Sequence, residues 1–190
     1  MAENLMKRHP QILNRKEAAL LIVDVQQKIN AVMQAGPLVV DSTVNLIKAC
    51  RTLAVPIFIT EQYPQGLGPT EPAILDALGH PQPIQKMTFS CCGADELNSG
   101  LQAGSIRQVI LTGIECHVCV QQTALDLLAH DLQVHVPKDA VSSRKRLDYE
   151  TALERMSKAG VVLTTVESVL FELLEKAGTP EFKEVTRLIK

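Results

Sequence analysis

The chain has 190 residues, 46% of them hydrophobic, which suffices for one well-buried core and is short for two domains. Its 19 lysines and arginines stand against 21 aspartates and glutamates, and aromatic residues make up only 3%, so the basic surface and stacking platforms of a nucleic-acid binder are missing. No apolar stretch is long enough to cross a bilayer, no signal-peptide h-region is present, and an odd count of 5 cysteines argues against a disulfide framework, so a soluble, cytoplasmic protein is expected.

In chain order, the first 16 residues carry Lys7, Arg8, Arg15 and Lys16, but Glu3 and Pro10 make a poor amphipathic transit helix. Short apolar runs then alternate with segments of helical period, the pattern of a parallel sheet with crossover helices. Strands are predicted over 20–25, 57–61, 84–87, 109–113, 134–137 and 161–165, and helices over 39–53, 94–103, 120–130 and 149–159. The first helix has an apolar face supplied by Val40, Leu46, Ile47 and Leu53. In the third, Val120, Ala124, Leu127 and Leu128 form a stripe that packs on the sheet, while Gln121, Gln122 and Asp126 face elsewhere. Residues 180–189 start like a capped helix with Phe182, Val185, Leu188 and Ile189 on one face. That face fits either its own domain or another subunit. Right-handed crossovers make a doubly wound, three-layer α/β/α sandwich the economical topology for one domain spanning residues 1–190.

Within this frame one stretch stands out, Gly113-Ile114-Glu115-Cys116-His117-Val118-Cys119-Val120, which closes an apolar run and opens an amphipathic one at a cysteine. A thiol in the first turn of a helix sits among unpaired N–H groups at the positive end of the macrodipole, a setting that favours thiolate and can hold a developing oxyanion. The apolar continuity of the strand at 20–25 breaks at Asp24, and Lys86 follows the short piece Pro83-Ile84-Gln85. In a parallel sheet the C-terminal strand ends share one edge, where Asp24, Lys86 and Cys119 can converge. Taken singly, each has a plainer reading: a buried small hydrophobe for Cys119, a turn carboxylate for Asp24, a surface amine for Lys86. The run Arg144-Lys145-Arg146 reads as a solvated loop at a helix start.

Asp24-Val25-Gln26, Lys86-Met87-Thr88-Phe89-Ser90, Gly113 through Val120, and Asp139-Ala140 with Ser142-Ser143-Arg144 together resemble the isochorismatase-like cysteine hydrolases, and the resemblance covers nearly the whole chain. Thr60-Glu61-Gln62-Tyr63-Pro64-Gln65-Gly66-Leu67-Gly68-Pro69-Thr70 resembles a narrower branch, the isochorismatase domain-containing proteins. The resemblance implies a six-stranded parallel sheet in the order 3-2-1-4-5-6. It also implies that Cys119 is a nucleophile attacking an amide or ureido carbonyl to leave a thioester, with Asp24 as general base and acid and Lys86 favouring the thiolate. The oxyanion hole maps to the backbone N–H groups of Glu115 and Cys119, with a cis bond between Ile114 and Glu115. Gln26, Glu61, Tyr63 and Phe89 are the candidate substrate-binding residues, Gln26 by orienting the site. Nicotinamidases of this family carry an Asp-x-His metal site after the second strand, whereas this chain reads Glu61-Gln62-Tyr63 there, so no metal or other cofactor is expected. Cys116-x-x-Cys119 lacks the second ligand pair of a structural zinc site. The expected partner is a small amide or ureido substrate, with a homo-oligomer and neither nucleic acid nor membrane. An idle interaction protein and a vinyl-ether hydrolase are the competing readings.

Overall fold

A computed structural model describes residues 8–189, so residues 1–7 of the N-terminal segment considered for import, and the last residue of the expected domain, lie outside the described part. Seven strands form one sheet: β1 Ala18–Val23, β2 Ile57–Gln62, β3 Ile84–Lys86, β4 Gln108–Ile114, β5 Gln133–Pro137, β6 Val141–Ser142 and β7 Val162–Thr164. The helices are α1 Gln27–Asn30, α2 Gly36–Thr52, α3 Pro64–Leu67, α4 Pro72–Leu78, α5 Asp95–Ala103, α6 Gln121–Ala129, α7 Arg146–Ala159, α8 Val166–Leu174 and α9 Pro180–Val185. All pairings among these strands are parallel, in the order β3-β2-β1-β4-β5-β7, and β6 pairs with the end of β4. The expected order therefore stands with one strand more. β6 has two residues, too few to leave an apolar run of its own.

Period-two alternation in β1 explains the layers. Ala18, Leu20 and Ile22 enter one core with residues of α2, α8 and α9, while Ala19, Leu21 and Val23 enter the other with residues of α5, α6 and α7. Every residue of β1 is buried, as suits the centre of a sheet covered on both faces. β4 runs beside it, and Gly113 is what lets them close at their C-terminal ends: at φ +122° a Cβ on this residue would lie 2.0 Å from the Val23 carbonyl oxygen.

Several boundaries differ from the predicted ones. α2 buries Leu46 and Ile47, with Leu53 at its C-cap, as predicted; Val39, Ala49 and Cys50 join them, and Val40 is only partly covered. α8, with Val169, Leu170, Leu173 and Leu174 buried, was not predicted; a Thr165 side chain caps it at Ser168 N. The C-terminal face is covered by its own chain: Val185 is buried, Phe182, Leu188 and Ile189 pack on the same core, and Thr52 Oγ1 donates to Glu184 at 2.9 Å. No described helix is long and apolar enough to cross a membrane.

Candidate active site

The strand order reverses between β1 and β4, and the crevice at the carboxyl ends of such strands is where open α/β sheets place their ligands. Asp24 follows β1 directly. Its backbone turns out of the strand at φ +51°, a left-handed conformation that aspartate tolerates better than most residues. The carboxylate is buried, with Thr60 Oγ1 donating to Oδ1 at 2.8 Å and Lys86 Nζ donating to Oδ2 at 2.6 Å.

Lys86 is brought there by strand register, because β3 pairs with β2 so that Lys86 lies beside Gln62. Its ammonium has three further acceptors: Gln62 Oε1 at 2.8 Å and the carbonyls of Thr88 and Phe89, both at 3.1 Å. The ion pair is almost wholly out of water, its side chains 1% and 2% exposed. A pair so placed is held by geometry rather than by net gain, since desolvation offsets much of the attraction.

Cys119 arrives from β4. A π-turn over Cys116–Val120, in which the Glu115 carbonyl accepts from Val118 N–H at 3.0 Å and Val120 N–H at 3.3 Å, leads into α6. The helical path thus begins at Cys116, earlier than expected, and the thiol still lies in its first turn. Val120, Ala124 and Leu127 are buried against the sheet and hold that turn in place, while Gln121, expected to face elsewhere, is buried too. The Ile114–Glu115 peptide bond is cis. The thiol donates to Gln62 Oε1 at 3.9 Å, and Asp24 and Lys86 are the charged groups that act on it.

The electrostatics correct one expectation. Burial first, and the Asp24 anion second, push the Cys119 thiol up from its ordinary range, while Lys86 acts in the opposite direction. Burial also raises the Asp24 carboxyl, with Lys86, Thr60 and Cys119 working against it. The two shifts belong together: once a proton moves from sulfur to Asp24, the anion that disfavoured thiolate is gone and the Lys86 charge remains.

The other predicted site residues divide differently. Gln26 braces β2 beside the site, its Nε2 donating to the Gln62 carbonyl at 3.1 Å and the Gly68 carbonyl at 2.6 Å, and its Oε1 accepting from Gln62 N at 2.9 Å. Glu61 projects from the opposite face of β2 to Thr60 and Gln62, and its carboxylate takes both Thr70 N and Thr70 Oγ1 at 2.7 Å. Tyr63 and Phe89 are exposed, Phe89 meeting Lys86 through its backbone carbonyl. Arg144, Lys145 and Arg146 are all exposed as expected, and Arg144 also donates from Nε to the Glu115 carboxylate at 2.9 Å. Sequence reasoning overlooked Thr60 and Gln62. Alternation along β2 places both on the face that receives Asp24 and Lys86, and that was the available signal. Among the described residues, no group of three or more His, Cys, Asp or Glu is arranged to hold a metal ion.

Residues 18–168 match the isochorismatase domain family. The chain is similar to isochorismatase domain-containing protein 2 of Danio rerio, 42% identical over 177 residues that cover 93% of this chain and 89% of the relative. It is also similar to a solved structure described as a MAR1 ribonuclease from Caenorhabditis elegans, at 41% identity and a TM-score of 0.88, covering 93% of this chain and 91% of that one. The YcaC gene product of Escherichia coli, described as an octameric hydrolase of unknown specificity, shares the fold at 21% identity with a TM-score of 0.87, covering 96% and 92%.

Proposed function

The chain belongs to the isochorismatase family, and from that premise we propose that it is a cofactor-free cysteine hydrolase cleaving a C–N bond of a small amide or ureido compound. The observation that carries this reading is the buried cluster in which the Lys86 ammonium meets Asp24 Oδ2 at 2.6 Å and Gln62 Oε1 at 2.8 Å, the same oxygen lying 3.9 Å from Cys119 Sγ. In the proposed reaction Asp24 takes the thiol proton as sulfur attacks the carbonyl carbon, and the Lys86 ammonium stabilises the sulfur anion as it forms. The carbonyl oxygen draws on the backbone N–H groups of Glu115 and Cys119. Asp24 then returns its proton to the departing nitrogen, leaving a thioester. Water, deprotonated by the same carboxylate, cleaves it and restores the thiol. The direction of the Asp24 shift, upward from the ordinary carboxylate range through burial, supports this duty, because it helps the carboxylate take up a proton.

A homo-oligomer is part of the proposal. Tyr63, Met87 and Phe89 are exposed beside the site, and the octameric description of the E. coli protein supports covering them with another subunit. The ribonuclease description of the C. elegans structure offers a second reading, phosphodiester cleavage by Asp24 and Lys86. A net charge of -2 gives it little electrostatic support. An ammonia-release screen over amides, carbamoyl acids and ureides, run beside an RNA degradation assay and with Cys119→Ala as control, separates the two. Turnover of a small amide that vanishes in Cys119→Ala supports the hydrolase; RNA cleavage that survives it supports the other.

A further inference from the structure

One neutral side chain touches both the cation and the nucleophile. Gln62 is 8% exposed, its Oε1 accepts from Lys86 Nζ at 2.8 Å and lies 3.9 Å from Cys119 Sγ, and its Nε2 donates to the Met87 carbonyl at 3.0 Å. Only one orientation of the amide meets both ends, since an ammonium can only donate and a carbonyl only accept. The backbone is pinned as well, because both amide atoms of Gln26 bond to Gln62. The oxygen aimed at sulfur is therefore fixed.

Lys86 has three protons, and four acceptors stand within reach: Asp24, Gln62 and the carbonyls of Thr88 and Phe89. No proton is left over for sulfur. Gln62 thus presents the negative end of a dipole to Cys119 while helping to occupy the cation that would otherwise turn to it, and both effects favour S–H over the sulfur anion.

We infer that Gln62 is a positioning residue that sets the proton inventory of Cys119, holding the sulfur as a thiol and the Lys86 ammonium on the Asp24 side until attack begins. The inference rests on the hydrolase reading above. As attack begins, the S–H bond breaks and its proton passes to Asp24, the electron pair on sulfur forms the C–S bond and the carbonyl pair moves to its oxygen, so the negative charge that leaves Asp24 ends on the substrate oxygen. Lys86, now beside a neutral carboxyl, turns its remaining attraction to sulfur. The titratable groups facing Cys119 are Asp24 at the end of β1, Lys86 on β3 and Cys91 in the turn after it, and Gln62 is the uncharged member of the ring.

The test reads the thiol alone. The rate at which iodoacetamide alkylates Cys119 is followed by peptide mass spectrometry from about pH 6 to about pH 10 in the full-length protein and in Gln62→Met and Gln62→Glu. Gln62→Met keeps the length of the side chain and removes the acceptor, so alkylation near neutral pH should be several-fold faster and its pH profile should move down. Gln62→Glu places an anion at the same point, so alkylation should be several-fold slower and the profile should move up. Changes of the same sign in both variants would mean a merely structural residue and overturn the inference. If Gln62→Met does not fold, Gln62→Glu decides alone: alkylation at or above the parent rate overturns the inference. Hydrolysis is not measured here, so loss of the hydrolase reading, seen as full turnover in Cys119→Ala, remains a separate result.

Discussion

The two ends of the central strands bury polar groups for different ends. At the C-terminal edge the buried groups are an ion pair and a thiol, Asp24, Lys86 and Cys119, around a backbone forced to positive φ at Asp24. At the N-terminal edge they are neutral. Gln108 accepts from Asn14 N at 2.6 Å and donates to the Pro10 carbonyl at 3.1 Å, the Ile12 carbonyl at 3.2 Å and Gln133 Oε1 at 2.6 Å. His135 bonds to that same Gln133 oxygen at 3.1 Å. Amides that meet their partners tie chain to sheet at little electrostatic cost, whereas charges withdrawn from water are stable only while all partners remain. Polarity kept for structure and polarity kept for chemistry can thus be told apart by what each loses when one member is removed.

The largest difference should appear in turnover. On any substrate the screen finds, Cys119→Ala should abolish activity, Asp24→Asn and Lys86→Met should each cost orders of magnitude, and Cys116→Ala should keep most of it. Adding Asp24→Asn to Cys119→Ala should cost little more, since members of one catalytic unit are not additive. Gln108→Leu at the other edge should leave kcat unchanged.

Stability should reverse that order of interest. Lys86→Met leaves the Asp24 carboxylate buried without its cation and should cost about 3 to 5 kcal/mol in urea unfolding. Pairing it with Asp24→Asn should recover most of the loss, because no lone charge then remains. If the single variant is as stable as the parent, the pair is not buried as described.

A smaller effect distinguishes the N-terminal edge by pH. Burial holds His135 down to about 4 from its ordinary 6.5, and its Nδ1 has no hydrogen-bond partner. The unfolded chain therefore takes up a proton that the native protein refuses as pH falls from 6.5 toward 4. Its contribution to stability is complete above that window and is lost within it by about 1.4 kcal/mol per pH unit. Urea titrations across the window should show this slope in the parent and its loss in His135→Phe.

The comparison also explains what could be read from the sequence. Asp24 and Lys86 were legible because each follows a short apolar run, and Cys119 because it opens the helix after another; parallel strands bring such positions to one edge, and the family resemblance supplied their roles. The layers were legible through β1, whose neighbours alternate between two cores. β6 was hidden because two residues carry no period. Gln62 was hidden for a different reason: attention to the histidine missing from Glu61-Gln62-Tyr63 passed over the residue whose oxygen reaches Lys86. The protonation of Cys119 was also beyond the sequence, since the sum of burial, Asp24 and Lys86 depends on distances that spacing does not supply.

The most direct test of the central claim is intact-protein mass spectrometry of an acid-quenched reaction with a substrate from the screen. The account predicts an added acyl mass that maps to Cys119, forms and decays with turnover, and is absent in Cys119→Ala. Steady turnover with no adduct at Cys119, undiminished in Cys119→Ala, would contradict it.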